Sequence, residues 1–444
     1  MKQYTGNVFF EEDNFKNKII GAILTINNDI FTIEFQSDKH FRKDYSIIQG
    51  EFLDLGYVTL IECYFSGSTT SIVNLTKYNV QHLITEVKIN SIDNLLAKSM
   101  YVKMDTLKNW LNLSNLSGSL IFGGKIEYSK SEKILLYDSN DFSINIHFCL
   151  NEYSQFKKNT ITLTEFNQLE ISSKHKSVNI FELYNIYKKI KIFLAFIGVF
   201  SKENDEFKFV DDDFKFENQF EPISMKFFTK FFDTTNDGII THNKIEFKDI
   251  EPNISKILDN WLTNDKIQDS IILVMEKYTF IKLTVETYFL NTCFAIETFH
   301  RKNRTNKVFS ETEFKKIKKG IRAKLETQEE IDLFNDKLIY ANEPTYKSRL
   351  ISLKSEFSAI TIDGFDIDDY IDRIVKTRNY LVHRGSKTNT FSNIKLYYAS
   401  VYLETLTKYC IMEKIGFEKD YLKKVFANSG KNIDQIYKLN VDKY

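Results

Sequence analysis

Short segments in which apolar and polar residues alternate run through roughly the first 170 residues. Examples are residues 31–35, 57–65 and 144–148, and Gly, Asn, Asp and Ser separate such runs. A period of two places successive side chains on opposite faces of a strand, so these segments predict β-strands. They favour an antiparallel sandwich or a distorted barrel. A helical turn carrying Trp110 is expected at residues 107–113.

The hydrophobic period shifts toward helix over about residues 180–200, and an acidic, aromatic stretch follows at residues 203–221. Long helices are expected to begin near residues 262–270. Apolar residues at three-and-four spacing predict one long helix of about seven turns; they are Val274, Tyr278, Ile281, Val285, Tyr288, Ile296 and Phe299. Further helices are expected near residues 310–326, 345–357, 366–384 and 391–414. The helix over 366–384 is expected to stop at Gly385, because glycine is favoured just past a helix end.

These two patterns predict an α+β protein with two domains. The first domain, residues 1–262, is β-rich, and a subdivision near residue 170 is left open. The second domain, residues 263–444, is an all-α helical bundle. A chain of 444 residues that is 43% hydrophobic, with 39 Phe and 24 Tyr, has material for more than one core. This composition argues against disorder.

The net charge of zero conceals a division between the two parts of the chain. Residues 1–270 hold 30 Lys and Arg against 37 Asp and Glu, whereas residues 271–444 hold 30 against 23. Of eight arginines, seven lie between Arg301 and Arg384. Because the guanidinium fork grips phosphate with two hydrogen bonds, this clustering predicts a phosphate-binding region. Chance clustering on solvated helix faces is the alternative.

The four cysteines are scattered without paired spacing, which is typical of free thiols in a reducing cytoplasm. The apolar run of residues 192–200 is too short to span a bilayer, and no apolar signal segment follows Met1. We therefore expect a cytoplasmic protein with no membrane partner.

The hexapeptide Arg378-Asn379-Tyr380-Leu381-Val382-His383 carries the most informative chemistry. Asn379 and His383 are four residues apart and share a helix face, and the long side chain of Arg378 can curl toward the same pocket. An imidazole moves protons near neutral pH, and a guanidinium neutralises charge that develops on phosphate. RNA supplies its own nucleophile, the 2′-hydroxyl. The hexapeptide therefore predicts RNA cleavage without a metal ion or other cofactor, leaving a 2′,3′-cyclic phosphate.

A purely structural interpretation of the hexapeptide stays open at this point. In it, His383 caps carbonyls at a surface helix end, and Arg378 pairs with Asp372 or a neighbour. Two other functions also stay open. One is a non-catalytic RNA-binding or regulatory protein whose helical bundle serves dimerisation. The other is a sugar- or peptide-binding sensor in which the β-rich domain is the main actor.

Arg378-Asn379 followed by His383 resembles the Arg-x(4–6)-His signature of HEPN ribonucleases. The fuller layout is similar to ApeA-like HEPN proteins, through residues 56–63, 107–110, 294–301 and 378–385. The resemblance implies a bacterial antiviral endoribonuclease of the abortive-infection type, in which two HEPN domains pair across one cleft. It implies that Arg378, Asn379 and His383 are catalytic and that Glu297, on the first long helix, faces them.

The expected partners follow from the same resemblance and from the basic residues around the motif. The substrate is RNA, with tRNA or another structured RNA as a candidate, and the protein is a homodimer or a higher homo-oligomer. The N-terminal domain is the expected site of a phage-derived trigger. RNA phosphates are expected to contact Arg301, Arg304, Arg373, Lys376 and Arg384.

Several weaker signals are set aside. Residues 118–126 resemble a phosphate loop, but Ile126 stands where a magnesium-binding Ser or Thr is required. Residues 233–238 resemble the start of a calcium loop, but Lys244 replaces the bidentate Glu. Asp211 to Asp213 are expected to be a solvated loop. His300 is expected at the surface, beside Arg301.

Overall fold

A computed structural model gives two compact units. They are described over residues 1–27, 30–70, 74–118, 126–128, 133–155, 160–200, 206–210, 224–229, 244–278, 283–361, 365–391 and 393–426. The β-rich unit comprises Met1–Ala195, Val199–Thr235 and Glu246–Ser255. The helical unit comprises Phe196–Gly198, Asn236–Ile245 and Lys256–Tyr444.

Six strands at the start of the β-rich unit form a closed antiparallel barrel. They are β1 (Lys2–Phe10), β2 (Ile19–Asn27), β3 (Ile30–Ser37), β4 (Tyr45–Phe52), β5 (Gly56–Thr70) and β6 (Asn74–Thr85). Their order is β6-β3-β2-β1-β4-β5, and β5 pairs again with β6 to close the ring. Alternate residues of each strand point inward. The aromatic rings of Phe10, Phe35, Phe41, Tyr45 and Tyr78 pack together inside.

The same sheet continues beyond β6 through six more strands, in the order β16-β15-β8-β13-β12-β11. They are β8 (Ser99–Lys103), β11 (Ile134–Asp138), β12 (Phe142–Gln155), β13 (Thr160–Ser173), β15 (Glu206–Val210) and β16 (Ser224–Thr229). Two separate two-stranded sheets are also present. One pairs β7 (Leu96–Ala97) with β14 (Val178–Asn179), and the other pairs β9 (Leu116–Gly118) with β10 (Ile126–Tyr128). Helix α1 (Asp105–Leu111) carries the buried Trp110 as expected. Helix α2 (Ile180–Phe196) packs Tyr187 against Phe207, with ring centroids 4.9 Å apart.

The rest of the described chain is helical. Its helices are α3 (Phe247–Ile250), α4 (Ile254–Thr263), α5 (Asp265–Met275), α6 (Val285–Asn303), α7 (Glu311–Arg322), α8 (Gln328–Lys337), α9 (Tyr346–Ile351), α10 (Lys354–Ile360), α11 (Ile367–His383) and α12 (Asn393–Ile415). Helix α6 packs mainly on α5 and α12, and it also contacts α9 and α11. The α+β class, with a β-rich first part and an all-α second part, is confirmed.

The long helix expected through Val274 and Phe299 is wrong in one respect, because two helices share that apolar pattern. Helix α5 ends at Met275, and α6 begins at Val285 after its cap Thr284, whose hydroxyl accepts a hydrogen bond from the Thr287 amide. A threonine cap satisfies an amide that would otherwise lack a partner, and so it starts a new helix. Hydrophobic spacing alone does not reveal this break.

Some expectations fall on residues that the structure does not describe. These residues include most of the segment 118–126, which resembles a phosphate loop, and also the aspartates at 211–213 and the residues at 233–238. Among the described helices, none combines the length and apolar character needed to cross a membrane.

Candidate active site

Helix α11 carries the hexapeptide at its C-terminal end. The side chain of Asp366 caps its first turn by accepting from the Asp369 amide, and one face is buried through Tyr370, Ile371 and Ile374. The helix ends at His383, and Arg384 takes the left-handed conformation at φ 54°. The expected stop at Gly385 is therefore one residue too late. Arginine occupies a conformation that glycine adopts at lower cost.

The guanidinium of Arg378 is held in a mostly buried position by two neighbours. Its Nη2 lies 3.6 Å from the Glu297 carboxylate on α6. Its guanidinium carbon lies 5.4 Å from the centre of the Tyr346 ring, within the range of a cation–π contact. The expected alternative partner, Asp372, instead pairs with Lys347 at 2.6 Å. The Nε of Arg378 is buried and donates to no described residue.

Glu297 binds a second arginine besides Arg378. Arg301, one turn further along α6, places its Nη2 3.4 Å from the Glu297 Oε1, while Arg378 approaches Oε2. Two guanidinium groups thus share one carboxylate, and the side chain of Glu297 is 19% exposed. The group carries a net positive charge next to solvent, which favours binding of an anion such as phosphate.

The ion pairs continue from Arg301 to a buried arginine. The carboxylate of Glu343 lies 3.3 Å from Arg301 and 3.0 Å from Arg349, whose side chain is only 2% exposed. We call Arg378, Glu297, Arg301, Glu343 and Arg349 the arginine–glutamate chain. Because each carboxylate touches two guanidinium groups, this chain ties α6, α9 and α11 together through charge as well as packing.

His300 lies at the end of this chain and is buried, so its expected surface position is wrong. Arg349 Nη1 donates to His300 Nδ1 at 3.2 Å, and the other ring nitrogen lies 2.7 Å from the Ser352 hydroxyl. Arginine can only donate, so Nδ1 accepts and Nε2 carries the proton. Burial lowers the pKa of His300 to about 4, and the charge of Arg349 adds to the effect. The ring is therefore a neutral structural group.

His383 and Asn379, in contrast, are exposed on the last two turns of α11. Neither side chain forms a hydrogen bond or ion pair with any residue in the described ranges. They lie one helical turn apart on one face, about 6 Å along the axis. The structure therefore places an open imidazole and an open carboxamide on the helix that holds Arg378.

The basic residues expected to contact RNA fall into two groups. Arg304 pairs with Glu356 at 2.7 Å, and the Arg373 guanidinium lies 4.6 Å from the centre of the Phe391 ring. Like Arg301, these two contact other side chains of the protein. Lys376 and Arg384 have exposed side chains on and just beyond α11.

Three residues that contact the candidate site could not be picked out from the sequence. Tyr346, Glu343 and Arg349 lie in or beside α9, about thirty residues before the hexapeptide. Their only sequence signal is the clustering of arginines, which includes Arg349. Among the described residues, no three or more His, Cys, Asp or Glu side chains are grouped to hold a metal ion.

Family comparisons agree with the two-part architecture. Residues 3–261 match ApeA N-terminal domain 1, and residues 290–421 match the Apea-like HEPN family. No curated protein and no solved structure matched the chain. The second match contains most of α6, all of α9 and α11, and the whole arginine–glutamate chain. HEPN domains are generally associated with ribonuclease activity, and the ApeA family with antiviral defence. The chain belongs to the ApeA-like HEPN proteins.

Proposed function

We propose that this protein is a metal-independent endoribonuclease of bacterial anti-phage defence. His383 transfers protons, Arg378 stabilises the charge on the phosphate, and Asn379 orients His383 or binds a phosphate oxygen. Glu297 holds Arg378 in place. The defence is of the abortive-infection type, in which cleavage of cellular RNA halts the infected host.

One observation carries the proposal. A mostly buried guanidinium, fixed by Glu297 and Tyr346, lies on the same helix as an imidazole that no described residue engages. A fixed cation stabilises developing charge without reorganising during the reaction. An unengaged imidazole is free to donate or accept a proton. Arg378 and His383 are five residues apart, which corresponds to about 7.5 Å along the helix axis.

The reaction uses the substrate's own hydroxyl. The ribose 2′-oxygen attacks the adjacent phosphorus and loses its proton to a base. The bond from phosphorus to the 5′-oxygen breaks, and that oxygen gains a proton from an acid. The products carry a 2′,3′-cyclic phosphate and a 5′-hydroxyl, so no water molecule is consumed in this step.

Two proton transfers favour two copies of the site. One imidazole can serve only as base or as acid in a single concerted step, whereas a symmetric pair of His383 side chains supplies both. We therefore propose a homodimer as the active form. Light scattering during turnover is expected to show twice the chain mass, and a strict monomer would remove this part of the proposal.

The cleavage test uses total RNA, the chelator EDTA and the full-length protein. Protein is purified from bacteria before and after phage infection, so that a required trigger is present in one arm. His383→Ala and Arg378→Ala are compared with His175→Ala and Arg42→Ala, which remove exposed residues of the same types from the β-rich unit. Loss of the proton-transferring His383 is expected to cost about 10²–10⁴-fold in rate. Loss of Arg378, which stabilises the developing charge, is expected to cost about 10²–10³-fold.

The outcomes separate the activity from the site. If wild-type protein from infected cells cleaves no RNA, the ribonuclease proposal fails. If it cleaves RNA and both His383→Ala and Arg378→Ala cleave equally well, the assignment of the site fails. In the defence arm, bacteria carrying His383→Ala are expected to lose protection from phage, while those carrying His175→Ala keep it.

A further inference from the structure

Helix α7 carries a row of basic residues that the candidate site does not use. Lys315, Lys318, Lys319 and Arg322 follow one another at intervals of three, one and three residues. At 100° per residue they fall within a sector of about 100° and extend about 10 Å along the helix. We call these four residues the cationic stripe. The apolar residues of α7 lie in another sector; they are Phe314, Ile317 and Ile321.

The cations of the stripe differ from the arginines around the candidate site in their partners. Arg301, Arg304, Arg349 and Arg378 each pair with a carboxylate. Within the described residues, no member of the stripe forms an ion pair or a side-chain hydrogen bond. Three of the four are exposed, and Lys318 is partly exposed. Unpaired like charges on one helix face repel one another, at a small cost to the helix.

The helix that carries the stripe is well formed although it buries no residue. Ser310 and Glu313 make a reciprocal capping box at its start, and Thr327 and Glu330 do the same for α8. Neither helix has a buried residue. Local capping therefore holds the backbone helical where packing contributes little. The stripe is thus displayed on an ordered surface.

The two ends of the α7–α8 segment meet next to the arginine–glutamate chain, where residues 308 and 309 contact Asn342. The Val308 amide donates to the Asn342 carbonyl at 2.8 Å, and the Phe309 amide donates to the Asn342 side chain at 2.8 Å. The Asn342 amide group donates back to the Phe309 carbonyl at 3.0 Å. Asn342 directly precedes Glu343, which pairs with Arg301 and Arg349. The base of this segment is therefore anchored beside the candidate site.

We propose that the cationic stripe of α7 binds the phosphodiester backbone of the RNA substrate. This inference rests on the proposed ribonuclease function and adds a surface that grips RNA away from the scissile bond. Lysine and arginine side chains at helical spacing match a polyanion without reading its sequence. Binding by this surface is therefore independent of the RNA sequence, and other contacts determine the cleavage site.

The test measures RNA binding in a His383→Ala background, so that no cleavage is needed. A labelled single-stranded 20-nucleotide RNA is titrated with full-length protein at several salt concentrations. The stripe is replaced by Lys315→Gln, Lys318→Gln, Lys319→Gln and Arg322→Gln together. The matched control replaces four exposed lysines of the β-rich unit, Lys2, Lys16, Lys18 and Lys39, by Gln. A third protein carries Arg in place of the three lysines and Lys in place of Arg322.

The salt slope is the steepness with which the logarithm of the binding constant falls against the logarithm of the salt concentration. Each phosphate contact adds about 0.7 to this slope for single strands, so losing four contacts lowers it by about 3. Affinity in about 0.1 M salt is expected to fall by about 100-fold or more for the same reason. The control and the charge-preserving protein are expected to bind as tightly as the background protein. The unfolding temperature is not expected to fall, because α7 has no buried residue and the substitutions relieve the repulsion along the stripe.

Other results would overturn the inference. Unchanged affinity and slope in the stripe variant would do so even if wild-type protein cleaves RNA, which keeps this result distinct from failure of the ribonuclease proposal. Loss of binding to vesicles of 30% anionic lipid, with RNA binding intact, would assign the stripe to a membrane surface. A change in oligomeric state, with RNA binding intact, would assign it to a second copy of the chain.

Discussion

Two carboxylates of the helical unit each lie between two cations, yet their surroundings differ. The side chain of Glu404 on α12 is 6% exposed, and it pairs with Lys277 and, at 2.9 Å, with Lys408. The hydroxyls of Tyr278 and Tyr288 donate to its two oxygens. Glu297 is 19% exposed, and its two guanidinium partners lie at 3.4 and 3.6 Å.

The difference separates a fully buried carboxylate, whose contacts stabilise the fold, from a partly exposed one to which the proposed function gives a role in chemistry. Burial alone would raise the pKa of Glu404, but the charges of Lys277 and Lys408 and the hydrogen bonds from Lys277 and Tyr288 lower it to about 2. Every oxygen there is occupied, so no ligand can enter. Around Glu297 the contacts are longer, and Arg378 keeps a share of its surface open to a phosphate.

The largest effect is expected from breaking the buried carboxylate. Glu404→Gln leaves two ammonium groups without their counter-ion, and removing one partner of a buried ion pair costs about 3–5 kcal/mol of unfolding free energy. Urea unfolding of the full chain measures this loss. Glu297→Gln is the matched control and is expected to cost less, about 1–2 kcal/mol, because its carboxylate is partly solvated and Arg301 keeps its pair with Glu343. Equal losses in the two variants would contradict the comparison.

The second-largest effect is expected in the RNA cleavage assay, where Glu297→Gln is the damaging substitution and Glu404→Gln is its control. Glu297→Gln removes the charge that holds Arg378, and misplacing a group that binds the reacting phosphate by about 1 Å costs about 100-fold in rate. At a temperature where both variants are folded, Glu404→Gln is expected to cleave RNA within about threefold of the wild-type rate, as its cluster lies outside the reaction. If Glu404→Gln were the slower enzyme, Glu297 would lose its assigned role.

A smaller effect concerns the neutral histidine that ends the arginine–glutamate chain. The folded pKa of His300, about 4, lies below the ordinary value of 6.5. The unfolded chain therefore binds the extra proton first as the pH falls. The contribution of His300 to stability is complete above pH 6.5 and is lost between pH 6.5 and about 4. It amounts to at most about 3 kcal/mol.

His300→Gln keeps an acceptor for Arg349 and a donor for Ser352 but does not titrate. Urea unfolding at a series of pH values compares this variant with wild type, so that all other titrating groups cancel. The stability advantage of wild type is expected to shrink as the pH falls through this window. Parallel curves would show that His300 is not held neutral.

The smallest effect on stability is expected at the C-terminal end of α11. Arg384 holds a left-handed conformation that costs a non-glycine residue about 1 kcal/mol. Arg384→Gly is expected to raise the unfolding free energy by about 0.5–1 kcal/mol, while Arg384→Ala brings no gain. If RNA contacts Arg384, both variants are expected to weaken RNA binding alike. A destabilised glycine variant would contradict the assigned helix end.

The sequence predicted the elements of this protein better than the contacts between them. Alternation and three-and-four spacing identified the β-rich and helical parts, since both patterns are written in neighbouring residues. The same alternation fits a sandwich as well as the closed six-stranded barrel, because the pairing of distant strands is not a local property of the sequence. The apolar spacing predicts one continuous helix where α5 and α6 are separate, because the capping residue Thr284 is a weaker signal than the spacing that runs across it.

The candidate site shows the same division. Arg378, Asn379 and His383 form a local motif and could be selected from the sequence. The burial of His300 could not, because it depends on Arg349, which lies forty-nine residues away. The spacing of the cationic stripe is visible in the sequence, but the exposure of its side chains depends on how α7 packs, which neighbouring residues do not determine.

The chemistry of the new RNA ends tests the central claim most directly. Total RNA is incubated in EDTA with protein from infected cells, and the fragments are labelled by polynucleotide kinase without prior phosphatase treatment. We expect wild-type fragments to accept label at free 5′-hydroxyls and to carry 2′,3′-cyclic phosphates, and His383→Ala to yield none. Fragments that carry 5′-phosphates, or equal labelling with His383→Ala, would contradict cleavage by the 2′-hydroxyl at this site.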